Sequence, residues 1–147
     1  MLSKILVALD LSQDNKSVFD TAVLLAQKTR AKLILLYIIP PAKDESITSV
    51  YEEPWQKFKQ RGLTALQSLT QEAATAGINA QFTQDYGNPG RTICDRAQTW
   101  SVDMILVGSR GLTGAKEIML GSVSNYVTHH APCSVLIVRQ TSTATRK

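Results

Sequence analysis

Cysteine is scarce in this sequence: only Cys94 and Cys133 occur among its 147 residues. They stand far apart, without the spacing of a zinc site or of a Cys-x-x-Cys redox pair. A chain of this length can also bury a core without disulfide staples. We therefore expect both cysteines to be free thiols, buried or half-buried, in a reducing cytoplasm.

Long apolar runs are also missing. No run approaches the roughly 20 residues that span a bilayer, which argues against a membrane protein. The first ten residues, MLSKILVALD, include a lysine, but their apolar run ends in an aspartate and lacks a small-residue cleavage site. We therefore expect no secretion. The apolar content of 44% and the charged content of 19% are ordinary for a globular domain.

The sequence has no concentrated block of charge, although its net charge is +4. Its Lys and Arg residues are scattered, and the densest cluster is KFKQR at positions 57–61. On a helix, Lys57, Lys59 and Arg61 point in different directions, which favours a solvated face. No RNP-like or zinc-finger signature accompanies them. We expect no nucleic-acid partner, whereas a small anionic ligand stays open.

Aliphatic runs alternate with amphipathic segments along the chain. KILVALD, KLILLYII and DMILVG are nearly unbroken apolar runs, as expected of strands covered on both faces. This alternation predicts one α/β domain over residues 1–140, a doubly wound parallel sheet with helices on both faces, and a disordered tail over 141–147. The predicted strands cover 4–10, 32–39, 78–85, 103–108 and 133–139; the first helix ends near residue 30, and the others begin at 54, 89 and 122.

A glycine-rich stretch follows the fourth predicted strand, where ligands bind in such sheets. It contains Gly108, Gly111 and Gly121, with Ser122 at the start of the next helix. Glycines let the backbone approach a ligand or adopt positive φ, and a helix start offers unpaired N–H groups to phosphate. The alternative is that Gly108 ends a strand, Gly111 forms a turn and Ser122 caps a helix. The spacing fits neither G-x-G-x-x-G nor the Walker loop, and the residue types alone leave both interpretations open.

Two adjacent histidines, His129 and His130, end the fourth predicted helix just before Pro132. Neighbouring residues do not share a helix face, which disfavours a joint metal-binding role. A histidine in the last helical turn can instead satisfy free carbonyl groups. We therefore favour a capping role, and a structural role for Cys133.

The spacing Gly108-x2-Gly111-x9-Gly121-Ser122, between an aliphatic strand and APCSVLIVR, resembles the nucleotide-binding motif of the universal stress protein family. KILVALDLS is similar to that family's first strand and aspartate, LILLYII to its second strand, and GNPGRTICDRA to the entry of its third helix. The resemblance covers nearly the whole domain. It implies a five-stranded parallel sheet of order 3-2-1-4-5 that binds ATP or a related adenine nucleotide, ADP or AMP.

The resemblance also implies roles for individual residues. Asp10 matches an aspartate near the ribose and phosphates, and Ile38 matches a position whose main chain meets adenine. Magnesium would bind through the phosphates, with no protein ligand assigned. The implied nucleotide-binding residues are Ala8, Leu9 and Asp10 after the first strand, Ile38 after the second, Val107 and Gly108 along the ribose, and Gly111, Gly121, Ser122, Val123 and Ser124 around the phosphates.

The function implied by the resemblance is that of a stress-response signalling module. Phosphoryl transfer needs metal-holding carboxylates, and only Asp10 and Asp85 are expected near the mouth of the site, so at most slow ATP hydrolysis is expected. The family also forms homodimers through the last strand. Here that strand, from Ser134 to Arg139, is apolar and needs cover at the sheet edge.

Two other classes of protein fit the sequence less well. A phospho-receiver module without nucleotide binding would use Asp10, Asp85 and Ser109 at strand ends. Such a module has a pair of acids after its first strand and a lysine after its fifth, whereas here Leu9 precedes a lone aspartate and Arg139 follows the last strand. An adenylating enzyme would carry an S-G-G-x-D-S, H-I-G-H or K-M-S-K-S string, and none occurs.

Overall fold

A computed structural model describes residues 2–10, 15–39, 52–109 and 121–139 of the chain, without the side chains of residues 15, 52–55 and 58. Two sequence-based predictions lie outside these ranges: Gly111 as a phosphate ligand and the tail over 141–147. The described residues contain all five predicted strands and all four predicted helices.

Strands and helices alternate along the chain as the sequence predicted. The strands form one sheet of order β3-β2-β1-β4-β5, in which every neighbouring pair is parallel. The predicted strand order and fold class are therefore confirmed. The elements are β1 Lys4–Leu9, α1 Asn15–Thr29, β2 Lys32–Ile39, α2 Glu52–Thr75, β3 Ala80–Tyr86, α3 Pro89–Thr99, β4 Met104–Gly108, α4 Ser122–His130 and β5 Ser134–Val138.

Element boundaries differ from the predicted ones by one or two residues. The largest shifts are of two residues: α2 begins at Glu52 instead of Pro54, and β3 begins at Ala80 instead of Ile78. Ile78 is buried but precedes the strand, because its N–H donates to the Ala73 carbonyl at the end of α2. An apolar residue that closes a helix end therefore looked like the first residue of a strand.

The core consists of two apolar layers, one on each face of the sheet. Side chains alternate between the faces along a strand. In β1, Ile5, Val7 and Leu9 pack with α1 and α2, whereas Leu6 and Ala8 pack with α3 and α4. Residues 33–39 of β2 are all buried. Aliphatic side chains on both faces therefore explain why the central strands read as unbroken apolar runs.

The entry to α3 follows the predicted capping pattern. Asn88 is the N-cap, and its side-chain oxygen accepts a hydrogen bond of 3.0 Å from the Arg91 N–H. Pro89 takes the first helical position, where its missing N–H costs no hydrogen bond. The short turn after β3 is thereby fixed locally by sequence.

An aspartate ties β1 to β4 at the amino edge of the sheet. One Asp103 carboxylate oxygen accepts the backbone N–H groups of Ser3 and Lys4 at 2.8 and 2.9 Å. These backbone hydrogen bonds, that of Lys4 first, lower the pKa of Asp103. The Lys4 ammonium group in turn donates to the Trp100 carbonyl at 3.0 Å. The start of β1 is therefore held firmly beside β4.

A glycine in the middle of α2 lets this helix pack closely on the sheet. A Cβ atom at Gly62 would lie 2.8 Å from the Gln84 side-chain nitrogen and 2.9 Å from a ring carbon of Tyr37. The Gln84 amide is the end of a flexible chain, but the Tyr37 ring is buried. The ring therefore leaves no room for a side chain at this position.

Gly62→Val should destabilise the fold by about 1–3 kcal/mol, because the added carbons overpack a buried ring. Ala74→Val is the control: it adds two carbons on the exposed face of α2, compared with three in Gly62→Val, and should cost less than about 0.7 kcal/mol through helix propensity alone. Urea unfolding followed by circular dichroism measures both values. Equal losses in the two variants would contradict the close packing of α2.

Candidate functional site

The sheet opens between its two central strands at the carboxyl edge. Among the described residues, β1–β4 pairing ends at Val7 and Leu106. The flanking ladders run further, to Leu9 with Tyr37 between β1 and β2 and to Gly108 with Val138 between β4 and β5. Strand order reverses at this point, since β2 lies on one side of β1 and β4 on the other. The end of pairing creates the crevice where doubly wound folds bind ligands.

The α3–α4 side of this crevice is apolar. Ala8, Ile38 and Val107 belong to the core layer beneath α3 and α4, and Val123 of α4 packs against the same layer. Leu9 differs from this group because its side chain lies in the opposite layer, against α1 and α2. Of the predicted site residues at the end of β1, Leu9 can therefore reach the crevice only through its main chain.

Two backbone hydrogen bonds bring Gly108 and Gly121 close to each other. The Ser109 N–H donates to the Val138 carbonyl, and the Gly121 N–H donates to the Ser109 carbonyl, both at 2.9 Å. The chain thus returns to the end of β4 after residues 110–120. Gly108 and Gly121, far apart in sequence, flank one small region of backbone.

The start of α4 presents open hydrogen-bond donors beside these glycines. Gly121 is the N-cap and makes no side-chain capping bond. The first intrahelical bond runs from the Asn125 N–H to the Gly121 carbonyl at 2.9 Å. The N–H groups of Ser122, Val123 and Ser124 therefore have no acceptor within the helix. With the helix dipole, they form an arrangement suited to an anion.

Two details of the sequence interpretation are corrected here. Ser122 is the first helical residue and Gly121 the cap, so the alternative in which Ser122 caps the helix is wrong. Gly121 has φ −65°, which any residue adopts, so positive φ does not explain this glycine. The remaining reason is its lack of a side chain, which leaves the helix start accessible.

The Ser124 hydroxyl is already engaged. This residue is only 2% exposed, and its hydroxyl donates to the Gly121 carbonyl at 3.1 Å. A ligand at the helix start would therefore meet the Ser124 backbone N–H and not its side chain. The Ser122 side chain, by contrast, is exposed.

The two strand-end carboxylates have different surroundings. Asp10 is half-buried after β1, at the crevice. Asp85, near the end of β3, accepts hydrogen bonds from the Arg96 side chain and from the Tyr86 N–H. The hydrogen bond from Arg96 is the main reason why the pKa of Asp85 is lowered. This ion pair argues against Asp85 as a receiver carboxylate and supports a structural role.

The described ranges contain no cluster of three His, Cys, Asp or Glu side chains able to hold a metal ion. A His130 ring nitrogen lies 3.0 Å from the Tyr126 carbonyl, and its ring stacks on the Tyr126 ring at 4.1 Å. The His130 side chain is thus engaged near the helix end, although Tyr126 lies within the helix; the capping role stays a prediction. Cys94 is buried and Cys133 half-buried, both as free thiols, which was also predicted.

Sequence patterns missed the residues that act through main-chain atoms or through a side chain distant in sequence. The Ser109 carbonyl accepts a hydrogen bond from the Gly121 N–H, which holds the start of α4 beside the end of β4. Arg96, in the helix after β3, forms an ion pair with Asp85. No residue-type signal marks a carbonyl acceptor. For Arg96, a signal existed: an arginine about two turns into the helix that follows a strand-end aspartate.

The fold and the crevice define an open, doubly wound α/β protein with an anion-compatible helix start at its switch point. A sequence model of the universal stress protein family matches residues 1–139. A universal stress protein of Synechocystis is 38% identical over 149 residues, covering 92% of this chain and 97% of that protein. The chain belongs to the universal stress protein family.

Solved structures agree with this assignment. Universal stress protein UspA from Lactobacillus plantarum has a TM-score of 0.85 and 30% identity, covering 94% of this chain and 98% of that one. An Arabidopsis thaliana family protein with AMP bound has a TM-score of 0.69 and 21% identity, covering 99% and 97%. A universal stress protein in complex with cAMP has a TM-score of 0.68 and 22% identity, covering 95% and 98%. These last two likenesses show the shared fold.

None of the helices within the described ranges is long and apolar enough to cross a membrane. This agrees with the lack of long apolar runs in the sequence. The helices are amphipathic because one side of each packs against the sheet and the other side is exposed.

Replacing Asp85 should weaken the fold in a pH-dependent way. A lowered pKa in the folded state contributes stability above the unfolded pKa of about 4, and this is lost as pH falls through the folded value. Because Arg96 is 39% exposed, solvent screening limits the loss in Asp85→Asn at pH 7 to about 0.5–1 kcal/mol.

Urea unfolding of Asp85→Asn and wild type at pH 7 and near pH 2.5 measures this contribution. Asp95→Asn, on the exposed side of α3, is the matched control and should change stability little at either pH. An Asp85→Asn deficit that stays the same at both pH values would contradict the ion-pair origin.

Proposed function

We propose that this chain binds an adenine nucleotide, ATP or the related ADP or AMP, in the crevice between β1 and β4. The main support for this proposal is that β1–β4 pairing ends early, while the start of α4, which has no side-chain cap, is held beside the end of β4. An apolar wall therefore adjoins a helix start whose open N–H groups suit an anion, and a nucleotide needs both features. The AMP and cAMP named for two fold relatives support the adenine class.

The phosphates are assigned to the start of α4. The N–H groups of Ser122, Val123 and Ser124 supply donors, and the helix dipole supplies partial positive charge worth about 0.3–1 kcal/mol per anionic group. Gly108 and Gly121 flank this point without side chains. Gly111 belongs to the same proposed group on the basis of sequence spacing.

The base and the ribose are assigned to the strand ends. Ile38, Ala8 and Val107 give an apolar surface for the adenine ring, and the main chain of Ile38 is proposed to pair with its edge. Asp10, as a carboxylate, is an acceptor for ribose hydroxyls. Leu9 contributes through its main chain, and Val107 and Gly108 lie along the ribose.

Magnesium fits this site only in company with the phosphates. Mg²⁺ prefers oxygen ligands and usually keeps several waters while bound by one or two carboxylates and substrate phosphates. Asp10 is the carboxylate at the crevice, whereas Asp85 is held by Arg96. When bound, the ion would neutralise phosphate charge. Among the described residues, Asp10 would orient it from the end of β1.

The proposed role is regulatory, in the cytoplasm: the bound nucleotide sets a state that another protein reads. Phosphoryl transfer requires metal-holding carboxylates and a positioned acceptor. Engagement of Asp85 by Arg96 leaves Asp10 as the strand-end carboxylate for such work. This arrangement favours retention of a nucleotide over rapid turnover.

Gly121→Leu should weaken nucleotide binding at least tenfold, or about 1.4 kcal/mol, because a side chain at the cap covers the open N–H groups. Titration calorimetry with ATP, ADP and AMP measures this, and chromatography of denatured wild-type protein identifies any nucleotide carried through purification. Ala74→Leu, on the exposed face of α2, is the control for an added leucine and should bind as wild type does.

Two results would overturn these assignments separately. If wild type neither binds nor carries an adenine nucleotide, the proposed function fails. If Gly121→Leu binds as tightly as wild type, the nucleotide lies elsewhere and the phosphate assignment fails.

We also propose that β5 forms a homodimer interface by antiparallel pairing with a second copy, through Ser134 to Arg139. β5 is an edge strand, and its last four residues are half-buried instead of covered. An unpaired apolar edge invites another strand. A twofold axis through the strand would make this interface self-complementary.

Leu136→Lys should produce a monomer, because the middle residue of the strand lies near the proposed axis, where two lysines would repel each other. Ser134→Lys, at the exposed beginning of the strand, is the control and should leave more of the dimer intact. Sedimentation velocity measures the oligomeric state, with circular dichroism to check folding. A monomeric wild type, or a dimeric Leu136→Lys, would contradict this interface.

A further inference from the structure

Among the described residues, Ser124 is the only serine, threonine, amide or charged residue that is buried. It is 2% exposed and lies in the first turn of α4, two residues after Ser122. A buried hydroxyl costs free energy unless it is hydrogen-bonded, and alanine is the better helix former. Packing and helix propensity alone would favour alanine, so the reason for a serine lies in the contact that its hydroxyl makes.

The Ser124 hydroxyl holds the carbonyl group of the N-cap residue. It donates to the Gly121 carbonyl at 3.1 Å, and the same carbonyl accepts the Asn125 N–H at 2.9 Å. On the other side of the cap, the Gly121 N–H donates to the Ser109 carbonyl. Both peptide groups that flank Gly121 are therefore fixed, although glycine is the residue with the most conformational freedom.

This hydrogen bond differs from other hydroxyl bonds within the described helices. Six described threonines donate to the carbonyl group four residues earlier, within their own helix. Such bonding is an ordinary way for a helical hydroxyl to find an acceptor. Ser124 instead donates to the residue that precedes the helix, so its hydroxyl acts on the peptide group with which α4 begins.

The peptide group between Gly121 and Ser122 connects this contact to the ligand side. The peptide bond is trans, so the Gly121 carbonyl and the Ser122 N–H point in opposite directions. The carbonyl points into the helix, toward Asn125, which directs the Ser122 N–H out of the helix start. A carbonyl that accepts two hydrogen bonds also polarises its amide group, which makes the N–H a stronger donor.

We propose that Ser124 is a positioning residue for phosphate binding: its hydroxyl, acting through the Gly121 carbonyl, holds the Ser122 N–H in the direction of the ligand. This inference rests on the proposed nucleotide function and assigns a residue whose side chain controls phosphate affinity without contacting phosphate. The hydroxyl is buried, so its effect reaches the ligand through the peptide group. A ligand without phosphate should therefore be insensitive to it.

Titration calorimetry with ATP, and competition of adenosine against ATP, test this role. In Ser124→Ala, affinity for ATP should fall about three- to tenfold, because one proposed phosphate donor loses its fixed direction. Affinity for adenosine should change less than about twofold. Ser124→Thr, whose hydroxyl can also bond a preceding carbonyl, should restore ATP affinity to within about twofold of wild type.

Thr128→Val is the matched control for loss of a hydroxyl from the same helix. The Thr128 hydroxyl donates to the Ser124 carbonyl at 2.7 Å, one turn further from the helix start. This variant should bind ATP as wild type does. Circular dichroism checks the folding of every variant. If Ser124→Ala is unfolded, Ser124→Cys, whose thiol is a weak donor, takes its place with the same expected results.

The outcomes separate this inference from the proposed function. If wild type binds no adenine nucleotide, the proposed function fails. If wild type binds ATP and Ser124→Ala binds it equally well, only the inference fails. If Ser124→Ala weakens ATP and adenosine by the same factor, or a folded Ser124→Thr binds ATP as weakly as Ser124→Ala, Ser124 is merely structural and the inference is again overturned.

A second measurement needs no nucleotide. In protein labelled with ¹³C at the backbone carbonyl carbons, Ser124→Ala should shift the Gly121 resonance, because that carbonyl loses one of its two donors. Thr128→Val should leave the Gly121 resonance in place. An unmoved Gly121 resonance in Ser124→Ala would overturn the contact on which the positioning role depends.

Discussion

The hydrogen bond from the Gly121 N–H to the Ser109 carbonyl is the contact on which the candidate site depends. It joins the start of α4 to the end of β4, and the Ser109 N–H in turn joins β4 to β5. Because both bonds use main-chain atoms, they hold the helix start at a defined place without occupying a side chain. The open donors of α4 are thereby fixed beside the gap between β1 and β4 before any ligand arrives, which lowers the ordering cost of binding.

β1 and β4 are held together at the amino edge of the sheet and separate at its carboxyl edge. Asp103 holds the beginning of β1 beside β4, while the ladder between these strands ends at Val7. Right-handed crossovers then place α1 and α2 on one face and α3 and α4 on the other. The reversal of strand order between β1 and β4 divides the helices between the two faces of the sheet and also opens the crevice. Fold and site therefore have a common origin in strand order.

Much of the fold was predictable because its signals are local. Unbroken aliphatic runs marked the central strands, and Asn88 with Pro89 marked the start of α3. The position of the candidate site was predictable for the same reason, since glycines followed a strand end. What sequence could not give were contacts between distant residues: Arg96 with Asp85, and the Tyr37 ring against Gly62. The sequence also left open that Ser122 is the N-cap of α4, because both serine and glycine are common N-cap residues.

The hydrogen bond between Gly121 and Ser109 separates the atoms that position the helix start from the side chains that a ligand would meet there. The two hydrogen bonds described at this point use main-chain atoms of Ser109, Gly121 and Val138, and every residue type except proline offers the same N–H and carbonyl groups. The side chains at positions 109 and 121 can therefore change what a ligand meets beside the helix start while these bonds are kept. In this arrangement, ligand preference can evolve through side chains while the architecture is maintained by the main chain.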